Sequence, residues 1–152
     1  MNNKITDEID FKVVDQLHAA TLNFSNTSIE LKKMYVIIIG IAVPALLILN
    51  KQNLDTSIFV VLYLLSVIFW LVDSFTYHHQ VKLRLIGNKK LNEIYNRNNY
   101  NFNKTKPKNF IIDPFRKNEI INALCNSSHI LYYLCFLVNS IGFILYKFDF
   151  IT

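Results

Sequence analysis

The stretch Met34–Leu49, MYVIIIGIAVPALLIL, decides the fold of this chain. It carries no charged residue, and two further runs, Ser57–Val72 and Ile130–Tyr146, share that property. A bilayer core about 30 Å thick needs about 17 to 25 apolar helical residues, and each run reaches this range with its uncharged neighbours. The sequence therefore predicts an all-α integral membrane protein with three transmembrane helices.

The composition of the 152 residues agrees with this prediction, since 52% are hydrophobic and glycine and proline number three each. Turns are therefore few and helices dominate. The two cysteines, Cys125 and Cys135, lie at or inside the last apolar run, where a thiol usually acts as a small apolar side chain. The first 33 residues mix acids and bases, unlike a cleaved signal, so we expect the first run to remain as an anchor.

The charge distribution predicts how the chain crosses the membrane. Residues 77–129 contain ten basic and three acidic residues, a local net charge of +7, whereas Lys51 and Asp55 cancel in the short connection 50–56. Loops rich in Lys and Arg stay in the cytoplasm. With three crossings, the N-terminus is then cytoplasmic and the C-terminus lies outside.

These patterns divide the chain into four parts. We expect a cytoplasmic amphipathic helix in residues 1–28, a transmembrane hairpin in 29–76, a basic cytoplasmic region in 77–129, and the third crossing with a short outer tail in 130–152. One apolar face at helical spacing supports the first part; its members are Ile5, Ile9, Val13, Leu17, Ala20 and Phe24.

Local signals leave some helix limits open. The polar run Asn23–Ser28 either continues one long first helix or breaks it and caps a second one. Pro44 is either a tolerated transmembrane proline or a hinge. In the basic region we expect Gly87 to interrupt the helix that continues the second crossing. A flexible loop at Asn98–Asn109 and a short helix at about Phe115–Cys125 should follow.

Motifs for catalysis are weak in this sequence. It has no glycine-rich phosphate loop, no nucleophile elbow and no Cys-x-x-Cys pair. His78 and His79 are adjacent and cannot share a helical face as metal ligands. We therefore predict a protein that is not an enzyme and has no cofactor or metal site.

Polar residues in or beside the apolar runs are the candidates for pore lining or helix contact. Asp73 ends the second crossing at the depth of Lys32 and Lys33, so it either forms a salt bridge between two helices or marks the mouth of an ion pathway. Asn139 lies within the third crossing and should face another helix or a water-filled pore. A polar stripe precedes the first crossing and comprises Asn23, Asn26 or Thr27, and Glu30.

The basic region has two interpretations. Its charge is explained by membrane topology and by attraction to anionic lipid. Alternatively, aromatic rings interspersed with cations suit a nucleotide or a short single strand, through stacking and phosphate contacts. The candidate ligand-binding residues are Arg97, Tyr100, Lys104, Lys106, Lys108, Arg116 and Lys117.

Several short motifs, in order, resemble a family of small bacterial three-helix membrane proteins of anti-phage defence, the Hailong-type transmembrane channel effectors. The family's entry to the first crossing corresponds to Asn26-Thr27-Ser28 and Leu31-Lys32-Lys33, and its Phe-Trp-x-Leu-Asp exit from the second crossing to Phe69–Asp73. The segment His79–Arg84 departs most, since family members are richer in Arg and Glu there.

The resemblance implies a function that composition and spacing do not give. It implies an oligomeric channel in the bacterial inner membrane, a homotetramer by analogy, gated by an oligonucleotide that a nucleotidyltransferase makes. The channel would permeabilise the membrane on infection, as a toxin-like effector. Two alternatives remain open from the residues: a membrane-anchored adaptor without pore activity, and a holin-like lesion former.

Overall fold

A computed structural model describes residues 2–50, 54–99 and 123–148 of the chain. The described part is all-α. It contains α1 (Asn2–Leu49), α2 (Thr56–Asn99), a 3-10 turn (Ser127–His129) and α3 (Ile130–Lys147). All three long helices are long and apolar enough to cross a membrane, as the sequence predicts.

Three helix ends coincide with limits of the apolar runs. α1 ends at Leu49, α2 begins at Thr56 and α3 begins at Ile130, all within one residue of the limits read from the sequence. At the start of α2, Asp55 accepts a hydrogen bond from the Ser57 hydroxyl at 2.7 Å. The Asp55 carbonyl oxygen also accepts a hydrogen bond from the Ile58 N–H at 3.1 Å, which satisfies one of the free backbone N–H groups where the helix begins.

α1 and α2 form an antiparallel hairpin that extends well beyond its apolar part. They contain 48 and 44 residues, and at 1.5 Å per residue each is about 70 Å long, more than twice a bilayer core of about 30 Å. The excess lies at one end, in residues 6–31 of α1 and 74–97 of α2. We call this part the stalk.

The polar run Asn23–Ser28 continues α1 and does not break it. The Thr27 hydroxyl donates to the carbonyl of Asn23 at 2.9 Å, so it bonds within its own helix and does not cap a new one. The Thr21 hydroxyl bonds the Leu17 carbonyl in the same way at 2.8 Å. The limit expected at residue 28 therefore falls inside a helix.

The prediction that Gly87 interrupts the second helix is wrong, because α2 passes through it without a break. A single glycine costs a helix only about 1 kcal/mol relative to alanine. A Cβ at Gly87 would lie 4.0 Å from the Leu17 Cβ, so α1 packs closely against α2 there and supports the helix.

The end of α2 also differs from the sequence prediction. α2 includes Asn98 and Asn99, where a loop was expected. The rest of that loop and most of the helix expected at Phe115–Cys125 lie outside the described residues.

α3 packs against α2 through aromatic rings. The Phe59 ring lies 5.5 Å, centroid to centroid, from both Phe143 and Tyr146. Gly142 makes room for this contact, since a Cβ there would lie 3.3 Å from the Phe59 ring. The outward faces of the helices expose large apolar side chains, such as Ile41 at 66% and Val138 at 65%. Burying such faces in lipid is the simplest way to keep them from water.

Candidate functional site

The candidate site is a buried cluster of charged and polar side chains where the stalk meets the apolar part of the helices. Asp73 of α2 is fully buried. Its carboxylate accepts a hydrogen bond from the Ser28 hydroxyl and lies 2.8 Å from the Lys32 ammonium, both on α1. Of the two lysines expected at the depth of Asp73, Lys32 forms the ion pair with it, whereas Lys33 pairs with Glu30 at 2.7 Å.

His129, in the 3-10 turn before α3, is the third member of the cluster. Its ring is fully buried, with Nδ1 at 3.2 Å from Asp73 Oδ2 and Nε2 at 2.8 Å from the carbonyl oxygen of Ala123. Both of these partners accept hydrogen bonds. A neutral imidazole can donate to only one of them, whereas the imidazolium can donate to both.

The cluster joins all the described elements at one level. Lys32 also donates to the Ser128 hydroxyl at 3.2 Å, so α1 reaches the turn before α3 directly. On the apolar side of the cluster, the centroids of the Tyr35 ring of α1 and the Tyr132 ring of α3 lie 5.1 Å apart, and both residues are fully buried. The arrangement fixes the register of the three helices, because a shift of any one would separate a buried charge from its partner.

The sequence did not point to His129. Asp73 and Lys32 could be paired by depth along two adjacent crossings, but the docking of a third helix has no such signal. The available hint was the polar run Asn126-Ser127-Ser128-His129 directly before the last apolar run. A histidine in such a place, at the same membrane end as a costly carboxylate, is a natural partner for it.

Polar side chains inside the spans form hydrogen bonds to neighbouring helices. Asn139 of α3 donates to the Phe59 carbonyl oxygen of α2 at 3.1 Å, so within one copy it contacts a neighbouring helix. Two hydroxyl pairs do the same: Tyr35 with Ser66 at 2.7 Å and Tyr63 with Ser140 at 2.6 Å. Within one described copy, these groups therefore stabilise packing.

The polar stripe of α1 lies on the surface. Asn23, Thr27 and Glu30 are exposed on a face directed away from α2. Thr27 bonds its own helix, and Glu30 pairs with Lys33. Their proposed place in a pore vestibule stays a prediction.

Arg97, the described member of the ligand-binding set, is engaged in an ion pair at the far end of the stalk. Its guanidinium bonds Asp10 and lies 3.5 Å from Asp7. The hydrogen bond from Arg97 holds the pKa of Asp10 below its ordinary value. Lys90 lies 3.0 Å from Glu93, which raises the lysine pKa, and 3.7 Å from Asp10. The other ligand-binding candidates lie outside the described residues: Tyr100, Lys104, Lys106, Lys108, Arg116 and Lys117.

Two cavities among the described residues bear on ligand binding, one beside the cluster and one within the spans. One, of about 160 Å³, is lined by Leu71, Ser74, Phe75, His78, Ala123 and Leu124. The other, of about 390 Å³, is a cleft between the spans whose lining includes Ile39, Phe59 and Val138. Neither presents a lysine or arginine among its described lining residues, so neither suits a phosphate ligand.

Comparison with known proteins gives this chain no family. No protein-family model, no curated protein and no solved structure matches it. Its function therefore has to be inferred from its own residues, from their geometry and from the resemblance of its short motifs.

Proposed function

We propose that this chain is one subunit of an oligomeric, ligand-gated channel that permeabilises the bacterial inner membrane in anti-phage defence. Three candidate spans support a multi-pass membrane protein. Their interior polar groups, such as Asn139 and Ser66, are used in bonds within one copy. A water-filled path then needs several copies, and closed cyclic symmetry is the usual arrangement, with a tetramer as the proposed number.

The observation that carries the proposal is the Lys32–Asp73–His129 cluster at the base of the stalk. α1 and α2 run without a break from the stalk into the spans, and the cluster connects both of them to the turn before α3. A displacement of the stalk therefore reaches all three spans through short polar contacts. Packed elements with such bonds tend to switch between discrete arrangements, which is what gating requires.

The proposed ligand is anionic and acts on the stalk side. The basic residues favour a cytoplasmic stalk by the positive-inside rule. A short oligonucleotide made by a nucleotidyltransferase would supply phosphates for cations and bases for stacking. At Arg97 a phosphate would compete with the carboxylates of Asp10 and Asp7, which makes the stalk end sensitive to such a ligand.

Conductance of the purified protein in planar bilayers tests the proposal. We expect discrete conductance steps that change in open probability when a short single-stranded oligonucleotide is added on the stalk side, with an effect that weakens at high salt. Asp73→Asn should alter opening, whereas Glu8→Gln, which changes the exposed Lys12–Glu8 ion pair, serves as the matched control. The absence of conductance at any protein density, with or without oligonucleotide, would contradict the proposal.

A membrane-anchored adaptor is the second candidate, favoured by the side chains at the far end of the stalk. Ile9 and Phe11 are 57% and 50% exposed there, far from the spans. Deletion of residues 1–24 would then abolish recovery of a soluble partner, and the full-length protein would leave membrane permeability unchanged. A holin-like lesion former differs again, since its toxicity would be insensitive to a co-expressed nucleotidyltransferase.

A further inference from the structure

α1 carries an exposed apolar stripe that no described element covers. Its members Phe11, Leu22, Ile29 and Val36 are 50%, 51%, 50% and 54% exposed. Leu22, Ile29 and Val36 recur every seven residues, which is the period of a seam between supercoiled helices. Gly40 continues the same face and is exposed as well.

The stripe lies on a different side of α1 from its contact with α2. Side chains that meet α2 include Phe24, stacked on His79 at 5.8 Å, and Ser28, bonded to Asp73. At about 100° per residue, Leu22 and Ile29 point about 100° or more away from these positions. The hairpin therefore leaves the stripe free for another occupant.

The length of the stripe decides which occupant fits. Leu22 and Ile29 lie on the stalk side of Lys32, whereas Val36 and Gly40 lie on its apolar side. Lipid would cover only Val36 and Gly40, and a soluble protein would cover only Leu22 and Ile29. An occupant of the whole stripe must be a helix that itself passes from water into the bilayer at this level.

We infer that the occupant is a second copy of this chain, which packs its own α1 along the stripe, so that Leu22 and Ile29 of the two copies face each other. α1 is long enough to run beside the stripe over its full length. This inference rests on the proposed function, because that function requires several copies of the chain in one membrane. It assigns the self-association surface to α1, and specifically to Leu22, Ile29, Val36 and Gly40.

The Gly40–Pro44 pair adds an independent reason for close approach. Pro44 has no N–H, so the Gly40 carbonyl loses the hydrogen bond that residue i+4 normally donates. An unsatisfied carbonyl in hydrocarbon costs free energy, and transmembrane prolines are tolerated where a neighbour compensates for this loss. Among the described residues, apart from the neighbouring backbone of α1 itself, no atom lies within 4 Å of a Cβ built on Gly40, so a second helix has room to approach.

Cross-linking in membranes tests the surface directly. In a background with Cys125→Ser and Cys135→Ser, Leu22→Cys and Ile29→Cys should each give a disulfide-linked or bis-maleimide-linked dimer after treatment. Lys82→Cys is the matched control, since it lies on α2 at about the same level and is also exposed. No dimer at Leu22 and Ile29, or an equal yield at Lys82, would overturn the inference.

A charge substitution provides the second test. Leu22→Glu with Ile29→Glu should raise the protein concentration needed for assembly in mild detergent at least about tenfold, equivalent to roughly 1.4 kcal/mol. Ile9→Glu with Ile86→Glu, two exposed stalk positions off the stripe, should leave it unchanged. Helicity by circular dichroism checks folding, and unchanged assembly of the Leu22/Ile29 variant would contradict the surface.

The two proposals fail in different ways. A conducting oligomer that does not cross-link at Leu22 or Ile29 contradicts this interface and leaves the channel in place. A cross-linked oligomer that never conducts contradicts the channel and leaves the interface in place.

Discussion

The Asp73 carboxylate lies between two nitrogen partners from different parts of the chain: its Oδ2 is 2.8 Å from the Lys32 ammonium and 3.2 Å from His129 Nδ1. Asp73 and His129 are fully buried, and the Lys32 side chain is 21% exposed. A buried charge of this kind is tolerated only with its partners in place. The register of all three helices therefore depends on this one carboxylate.

Asp73→Asn should strongly destabilise the protein. The amide leaves Lys32 without its counter-ion in a partly buried place, and removal of one partner from a buried pair costs about 3–5 kcal/mol. Thermal unfolding in detergent, followed by circular dichroism, measures the loss. Glu30→Gln is the control, since the Lys33–Glu30 pair is 62% exposed on both sides and should contribute less than about 1 kcal/mol. Equal melting temperatures for the two variants would contradict the role given to Asp73.

Asn139→Leu should destabilise the packing of α3 on α2 modestly. The change removes the hydrogen bond to the Phe59 carbonyl oxygen, and such bonds between membrane helices contribute on average about 0.6 kcal/mol. The same unfolding measurement detects it, with Val138→Leu, an exposed neighbour, as the control. A larger effect on conductance than on unfolding would instead indicate that Asn139 faces the pore.

Two glycine substitutions should separate packing within one copy from packing between copies. Gly142→Leu should lower the unfolding temperature, because even a Cβ there meets the Phe59 ring at 3.3 Å. Gly40→Leu should leave folding intact, because its site is open, yet weaken assembly. Unfolding and native mass are measured on both variants, and a Gly40 variant that assembles normally would contradict the proposed interface.

Acid should loosen the far end of the stalk. Arg97 holds the pKa of Asp10 below its ordinary value. The pair therefore stabilises the stalk fully when the pH is above the ordinary pKa of an aspartate. The stabilisation is lost as the pH falls through the lowered pKa of the folded state, below about pH 4. Hydrogen exchange of residues 6–14 measures the loss. Asp10→Asn should abolish this acid dependence, whereas Asp15→Asn, which changes an exposed carboxylate of the same helix, should retain it.

The sequence predicted the features that depend on composition along the chain. The three apolar runs defined the spans, and matching depths paired Asp73 with Lys32. Features set by packing between helices were harder to predict from the sequence. Leu17 supports Gly87 within α2, and His129 reaches Asp73 only because α3 docks beside it. Neither contact leaves a periodic signal in one helix.

The native mass of the intact protein, measured in lipid nanodiscs or mild detergent, tests the central claim most directly. The account predicts an assembly of several 17.8 kDa chains, with four as the proposed number. It also predicts that Leu22→Glu with Ile29→Glu shifts this mass toward that of the single chain. A monodisperse monomer for the unaltered protein would contradict both the channel and the interface on α1.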